Sequence, residues 1–261
     1  MEIGTPDLVF ERRGRVAWLT FNRPETRNAM TFAMYDGLAR ACELVEQDPE
    51  IRVMVLTGAG DKAFVAGTDI SQFRTFTDPQ HALDYEARID QVIGRLETLA
   101  RPTIAAIRGY AVGGGASIAL ACDLRICTPD ARFGIPIART LGNCLSMSNY
   151  ARLVDLIGPA RTKELLFTAR MIEAEEARAI GLVNEIVEPE ALFDRAQELA
   201  EQIAANAPLT IQATKEAVRR VLDHRRPPRA EDLILTCYMS EDFREGVNAF
   251  LEKRKPQWKG R

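Results

Sequence analysis

Residues 103–127 read TIAAIRGYAVGGGASIALACDLRIC, and this stretch decides the fold class. Residues 103–107 form a continuous apolar run of strand length, and Gly113, Gly114 and Gly115 make a turn. A short helix of small residues then ends near Cys122, and 124–127 is a second apolar strand. Strand, helix and strand in succession is the unit from which α/β proteins are built. The same unit recurs upstream. Met34, Leu38, Ala41, Cys42 and Val45 fall at helical spacing within 31–47, Asp48-Pro49 ends the run, and 53–57 is another buried strand. A helix over about 82–99 stops at Arg101-Pro102. Ahead of these, 8–21 predicts a hairpin: after a break at Arg13-Gly14, Val16, Trp18 and Thr20 alternate with Ala17, Leu19 and Phe21. Beyond Asn143 the pattern turns mostly helical. One strand is expected at 182–187 and several amphipathic helices over 189–250, with a sharp break at 225–229.

A chain of 261 residues suits one medium globular domain with a substantial apolar core. Lys plus Arg number 34 against 37 Asp plus Glu, so no basic excess exists to displace counterions from nucleic acid. Residues 1–20 lack the apolar core of a secretory signal, and no window approaches the ~20 apolar residues of a membrane span. Five cysteines without a CxxC pair argue against a zinc ribbon and a disulfide framework, and point to a reducing cytoplasm. With only His81 and His224, and no partner at ligand spacing, no metal site is expected.

Two glycine-containing turns follow buried strands: 66–70, AGTDI, and 113–116, GGGA. Either would expose backbone N–H groups, and either alone is equally consistent with a plain strand-to-helix connection. Gly58-Ala-Gly60-Asp-Lys62 lacks the spacing of a phosphate-cradling loop, and Gly109, Gly113, Gly114 and Gly115 do not make a dinucleotide fingerprint. With their surroundings the turns resemble the crotonase (enoyl-CoA hydratase/isomerase) superfamily. The resemblance runs through KAFVAGTDI at 62–70 and RGYAVGGGA at 108–116. It continues through Asn22-Arg-Pro24, Arg27-Asn-Ala29, CDLR at 122–125, ARFG at 131–134, AIGLV at 179–183, FREG at 243–246 and AFLEK at 249–253. It covers nearly the whole chain.

The resemblance implies a crotonase-like spiral of ββα units over 1–190 and a helical C-terminal trimerisation region over 191–261, assembled as a trimer or hexamer. It implies that the backbone N–H groups of Thr68 and Gly114 form an oxyanion hole for a thioester enolate, with Ser117, Ile137 and Asn143 lining the acyl pocket. Arg27, Ala29, Ala66, Ile70, Phe250 and Lys253 match positions that contact coenzyme A. That molecule would arrive as part of an acyl-CoA substrate, with no other cofactor tightly bound.

The chain departs from the hydratase pattern at two decisive places. Hydration in the family relies on two glutamates that handle water and the α-proton, and Ser117 and Ile137 stand there instead. The acid that isomerases place after the next Leu-Gly is also missing from LGNCLS at 141–146. Asp69 and Asp123 sit where the family keeps an aspartate whatever the reaction, and are expected to be structural. Cys144 has no histidine near it in sequence to make it a nucleophile. In the lid segment 73–90, His81, Asp84, Tyr85, Glu86 and Asp90 are each in reach of swinging over the acyl group, but their helical spacing reads first as a solvated face. Three readings remain open: a hydratase/isomerase with an unorthodox acid, a decarboxylase or other enolate-forming enzyme, and a non-catalytic acyl-CoA binder.

Overall fold

The computed structural model describes residues 3–71, 78–223 and 231–259, with the backbone only at 232 and 233. It opens with a hairpin of β1 (Leu8–Arg13) and β2 (Val16–Phe21), followed by α1 (Phe32–Gln47). The Thr31 hydroxyl accepts from the Met34 N–H at 3.2 Å and so caps α1. Next come β3 (Val53–Gly58), β4 (Ala63–Val65) and α2 (Pro79–Thr98). Asp78 caps α2 by accepting from the Gln80 N–H at 2.7 Å, while Pro79 occupies a first-turn position where no amide donor is needed. The next round is β5 (Thr103–Ile107), β6 (Tyr110–Val112) and α3 (Gly114–Ala121). Then follow β7 (Leu124–Cys127), β8 (Arg132–Gly134), α4 (Ile137–Thr140) and α5 (Met147–Thr168), the last broken at Gly158. The chain continues through β9 (Ile172–Glu173), α6 (Ala174–Ala179) and β10 (Glu185–Ile186). It closes with α7 (Leu192–Ala204), α8 (Pro208–Asp223), α9 (Glu231–Tyr238) and α10 (Glu241–Leu251).

The strands sort into two sheets, ordered β1-β2-β3-β5-β7-β10 and β4-β6-β8-β9. The three middle rounds, beginning at β3, β5 and β7, therefore each give one strand to the first sheet, one to the second, and then a helix, which is the spiral of ββα units implied by the family resemblance. Apart from the β1–β2 and β8–β9 pairs, all pairings are parallel. The central strands of the first sheet are covered on both faces, which is why they read as unbroken apolar runs. Val16, Trp18, Val53, Val55, Ile104 and Ile126 meet Leu192, Ala196 and Ala200 of α7. The alternate residues, such as Ala17, Leu19, Met54, Leu56, Ala105 and Ile107, join the main core with α1, α2 and the second sheet.

Three sequence expectations need correction. The strand expected at 182–187 is only Glu185–Ile186, because the Leu182 and Val183 N–H groups both bond back to the Ala177 carbonyl and close α6 instead. The second-sheet strands β4, β6 and β8 went unread, since three residues are too few to show a period. In the helical C-terminal region expected to make subunit contacts, Phe243 is instead taken up inside its own chain with Tyr238 and Val247. The break expected at 225–229 lies outside the described residues. Among those described, no helix is long and apolar enough to cross a membrane.

Candidate active site

The two glycine turns meet at the seam between the sheets. The loop from β4 to α2 pairs with the segment after β2: Ala66 N–H donates to the Arg27 carbonyl, Met30 N–H to Gly67 and Asp69 N–H to Met30. These pairs use the amides of Ala66 and Asp69, and the Thr68 N–H between them has no acceptor among the described residues. Opposite it, α3 begins. Gly113 sits at φ 54° and ψ −119°, a conformation open to glycine alone, and Gly115 packs so tightly that an added Cβ would stand 2.0 Å from the Val65 carbonyl oxygen. Between them, Gly114 is the first residue of the helix, so its N–H is one of the donors a helix leaves unused. A Cβ built on Gly114 would lie 3.7 Å from the Thr68 nitrogen. Two N–H groups without an acceptor among the described residues thus lie close together, and the positive end of the α3 dipole is beside them.

Both donors open on one cavity. Of the residues expected to line an acyl pocket, Ser117, Ile137 and Asn143 all do so, together with Ile89, Ile135 and Leu141. Of the expected coenzyme contacts, Ala66, Ile70 and Phe250 border the same cavity, Phe250 reaching it from α10 of the same chain. Arg27 and Ala29 lie on the segment hydrogen-bonded to 66–69, at the rim, where the Arg27 guanidinium stands 5.6 Å above the Tyr110 ring. Lys253 does not border the cavity; it is exposed just past α10.

The cavity also contains what sequence reading set aside. Glu86, expected on a solvated face, is 7% exposed and lines the pocket with Thr68 and Gly114. The correction has a simple cause. Ala82, Glu86, Ile89, Ile93 and Leu96 form the buried stripe of α2, and the carboxyl group sits within it. A charged residue in register with an apolar stripe was the available signal. Tyr238, from α9, donates its hydroxyl to Glu86 Oε1 and accepts from Asn143 Nδ2 at 3.1 Å. Burial, opposed by the Tyr238 hydrogen bond and helped by the nearby Asp90 carboxylate, raises the Glu86 pKa from 4.5 to about 7. Tyr35 is pushed up to about 12 by burial, and Tyr85 and Tyr238 rise well above their usual value, so all three remain neutral donors. The Tyr35 hydroxyl hydrogen-bonds Thr68 Oγ1 at 2.9 Å, and Tyr85 reaches the same oxygen at 3.3 Å.

The other candidates separate cleanly. Asp123 accepts from the Thr103 N–H and hydroxyl and from Lys215, and Asp69 accepts from Ser71, so both are occupied in local structure. Cys144 borders the cavity, but a hydrogen bond with Cys237 and burial hold its thiol well above the ordinary value, which suits packing rather than attack.

The elevated Glu86 pKa has a consequence for stability. Between pH 4.5 and about 7 the folded protein keeps a proton that the unfolded chain has released, so stability falls as pH rises through that window and the full cost is present above it. At about 1.4 kcal/mol per pKa unit, Glu86→Gln should raise stability above pH 7 by up to ~3 kcal/mol. Near pH 4.5 variant and parent should melt together. Thermal unfolding across this range checks it.

A family model described as enoyl-CoA hydratase/isomerase matches residues 11–261. The chain belongs to this family. The (E)-benzylidenesuccinyl-CoA hydratase of Thauera aromatica is 40% identical over 260 residues, covering 97% of this chain and 99% of that one. The short-chain-enoyl-CoA hydratase of Clostridium acetobutylicum is 37% identical, covering 95% and 96%. Among solved structures, a methylmalonyl-CoA decarboxylase bound to 2-nitronate-propionyl-CoA superposes with a TM-score of 0.88 at 30% identity, over 97% of this chain and 98% of that one. Enoyl-CoA hydratase/isomerase chains thus include both hydratases and a decarboxylase among the relatives of this protein.

Proposed function

We propose that this protein transforms an acyl-CoA thioester through an enolate whose oxygen is held by the Thr68 and Gly114 N–H groups. The observation that carries the reading is the convergence of two unused backbone donors in a cavity that also contains a buried carboxyl group. Such donors act on charge that develops only as the reaction proceeds, and each is typically worth roughly 3 kcal/mol of barrier. Coenzyme A lies along the rim made by Arg27, Ala29, Ala66 and Ile70, with Phe250 and Lys253 toward its outer end, and no further cofactor takes part. The exposed Val218 and Val221, one turn apart on α8, supply an apolar patch for assembly into a trimer or hexamer. The free thiols of all five cysteines suit a reducing cytoplasm.

The test is a panel of enoyl-, β-hydroxyacyl- and malonyl-type CoA esters incubated in deuterium oxide and followed by mass. Deuterium should enter the α-carbon of at least one ester. Absence of both exchange and product across the panel would refute an enolate-forming enzyme and leave a non-catalytic binder. A second reading, decarboxylation, draws support from the 0.88 TM-score of the methylmalonyl-CoA decarboxylase and from Ser117 and Ile137 at the glutamate positions. Carbon dioxide release from the malonyl-type esters would select it. For the coenzyme, Arg27→Glu and Lys253→Glu should each weaken binding roughly 3–10-fold, more at low salt, as expected of exposed charge pairs. Calorimetric titration with coenzyme A measures this.

A further inference from the structure

Glu86 is the one carboxyl group among the described residues lining the cavity, and no histidine or lysine lines it. Ile70, Ile89, Val112, Ile135, Ile137 and Leu145 make the apolar part of the lining. The Asn143 amide and the Tyr238 hydroxyl form a chain that ends on Glu86 Oε1 and holds the carboxyl in one orientation. Asn143 comes from the loop after α4, Tyr238 from α9 and Glu86 from α2. Three elements far apart in sequence thus meet on this carboxyl.

We propose that Glu86 is the catalytic acid/base of the enolate chemistry, with Tyr238 and Asn143 as its positioning residues, and that it carries a proton from one substrate carbon to another. The proposal rests on the enolate reading above. In the forward step the α-C–H bond of a β,γ-unsaturated thioester breaks and its proton passes to a Glu86 oxygen. The electron pair enters the dienolate, whose oxygen faces the Thr68 and Gly114 N–H groups. Glu86 then returns the proton to the γ-carbon, and collapse of the enolate leaves the α,β-double bond. Atoms and charge balance with no co-reactant, and a single carboxyl suffices because the same group serves first as base and then as acid. Hydration in the family uses a second carboxyl beside the first to position and deprotonate water, and Ser117 and Ile137 supply none at the matching positions.

The acid/base acts among groups of known sign. Tyr35 on α1, Tyr85 on α2, Cys144 on the loop after α4 and Tyr238 on α9 are neutral, the hydrogen bond with Cys144 draws the Cys237 thiol on α9 down to about 7, and α3 offers no titratable side chain. Behind Glu86 a second hollow collects Asp84, Asp90 and Glu231. Of these, Asp90 favours the protonated form of Glu86, and a pKa of about 7 matches a group that must both take and give.

The experiment uses 3-hexenoyl-CoA, with butyryl-CoA in deuterium oxide as an exchange probe and crotonyl-CoA as a hydration probe. The parent should convert the 3-enoyl to the 2-enoyl ester and exchange the α-protons of butyryl-CoA, with rates that rise as pH passes about 7. Glu86→Gln should lose both activities by about 100-fold or more, while Glu86→Asp keeps a measurable fraction. Tyr238→Phe should move the pH midpoint upward, because the hydrogen bond that favours the carboxylate is gone. A purely structural role would leave that midpoint in place. If the parent exchanges protons and a folded Glu86→Gln does so as fast, the assignment to Glu86 falls while the enolate reading stands. If the parent is silent towards every ester, both fall together. Crotonyl-CoA hydration outpacing the double-bond shift would overturn carbon-to-carbon transfer.

Discussion

Gly114→Pro should reduce turnover by at least 100-fold, the loss typical of one oxyanion donor, while leaving α3 largely formed. Proline is well tolerated at a first helical position, where its missing N–H costs the helix no hydrogen bond. What disappears is the donor itself. Gly114→Ala is the necessary control, since any Cβ at this position would meet the Tyr35 hydroxyl at 2.5 Å and Thr68 Oγ1 at 3.1 Å. The alanine variant suffers the crowding but keeps the N–H, so the gap between alanine and proline isolates the donor. Equal losses in the two would place the effect in crowding and remove Gly114 from the oxyanion hole. At Thr68 the contribution is again a main-chain one, yet the side chain is not idle. Thr68→Ala would keep most of the rate and lose roughly 1–3 kcal/mol of stability, because the buried Tyr35 hydroxyl loses its partner.

A comparably large effect is expected far from the reacting atoms. Arg125, 4% exposed, donates to the carbonyls of Leu182 at 2.7 Å, Ala119 at 3.1 Å, Cys122 at 2.5 Å and Asp123 at 3.4 Å. Ala119 and Cys122 lie at the C-terminal end of α3, so a cation there satisfies orphan carbonyls and opposes the negative end of the helix dipole. Burial lowers the arginine pKa, which shows that its charge is held against a desolvation cost. Arg125→Met removes that cost but strands several buried carbonyls at about 1–3 kcal/mol each, and the second effect wins. The expected loss is 3 kcal/mol or more, an unfolding midpoint lower by roughly 6–12 °C. Because α3 carries Gly114 at its other end, catalysis should fall with it. A variant melting within a degree or two of the parent would show that those carbonyls find other partners.

The placing of each group follows from how far apart its determinants lie. Thr68 and Gly114 were legible because a tight turn is a local event, written in 66–70 and 113–116. The short strands β4, β6 and β8 were not, since pairing with a second sheet defines them and three residues carry no period. Lys253 matched a motif without bordering the cavity, whereas Phe250, one helical turn earlier, borders it.

By itself the sequence determined the α/β class, the order of the longer strands and helices, the two glycine turns, and Ser117 and Ile137 at the positions where the family resemblance expects glutamates. All of these depend on neighbours along the chain: apolar period, glycine conformation and residue type at a motif position. Only the tertiary structure decided what Glu86 is. A glutamate on a helix is ordinarily solvated, and this one is buried because α9 closes over α2 and brings Tyr238, 152 residues away in sequence, onto its carboxyl oxygen. Desolvation is a property of everything packed around a group, so an elevated pKa in a cavity with two free amides belongs to the fold rather than to any stretch of residues.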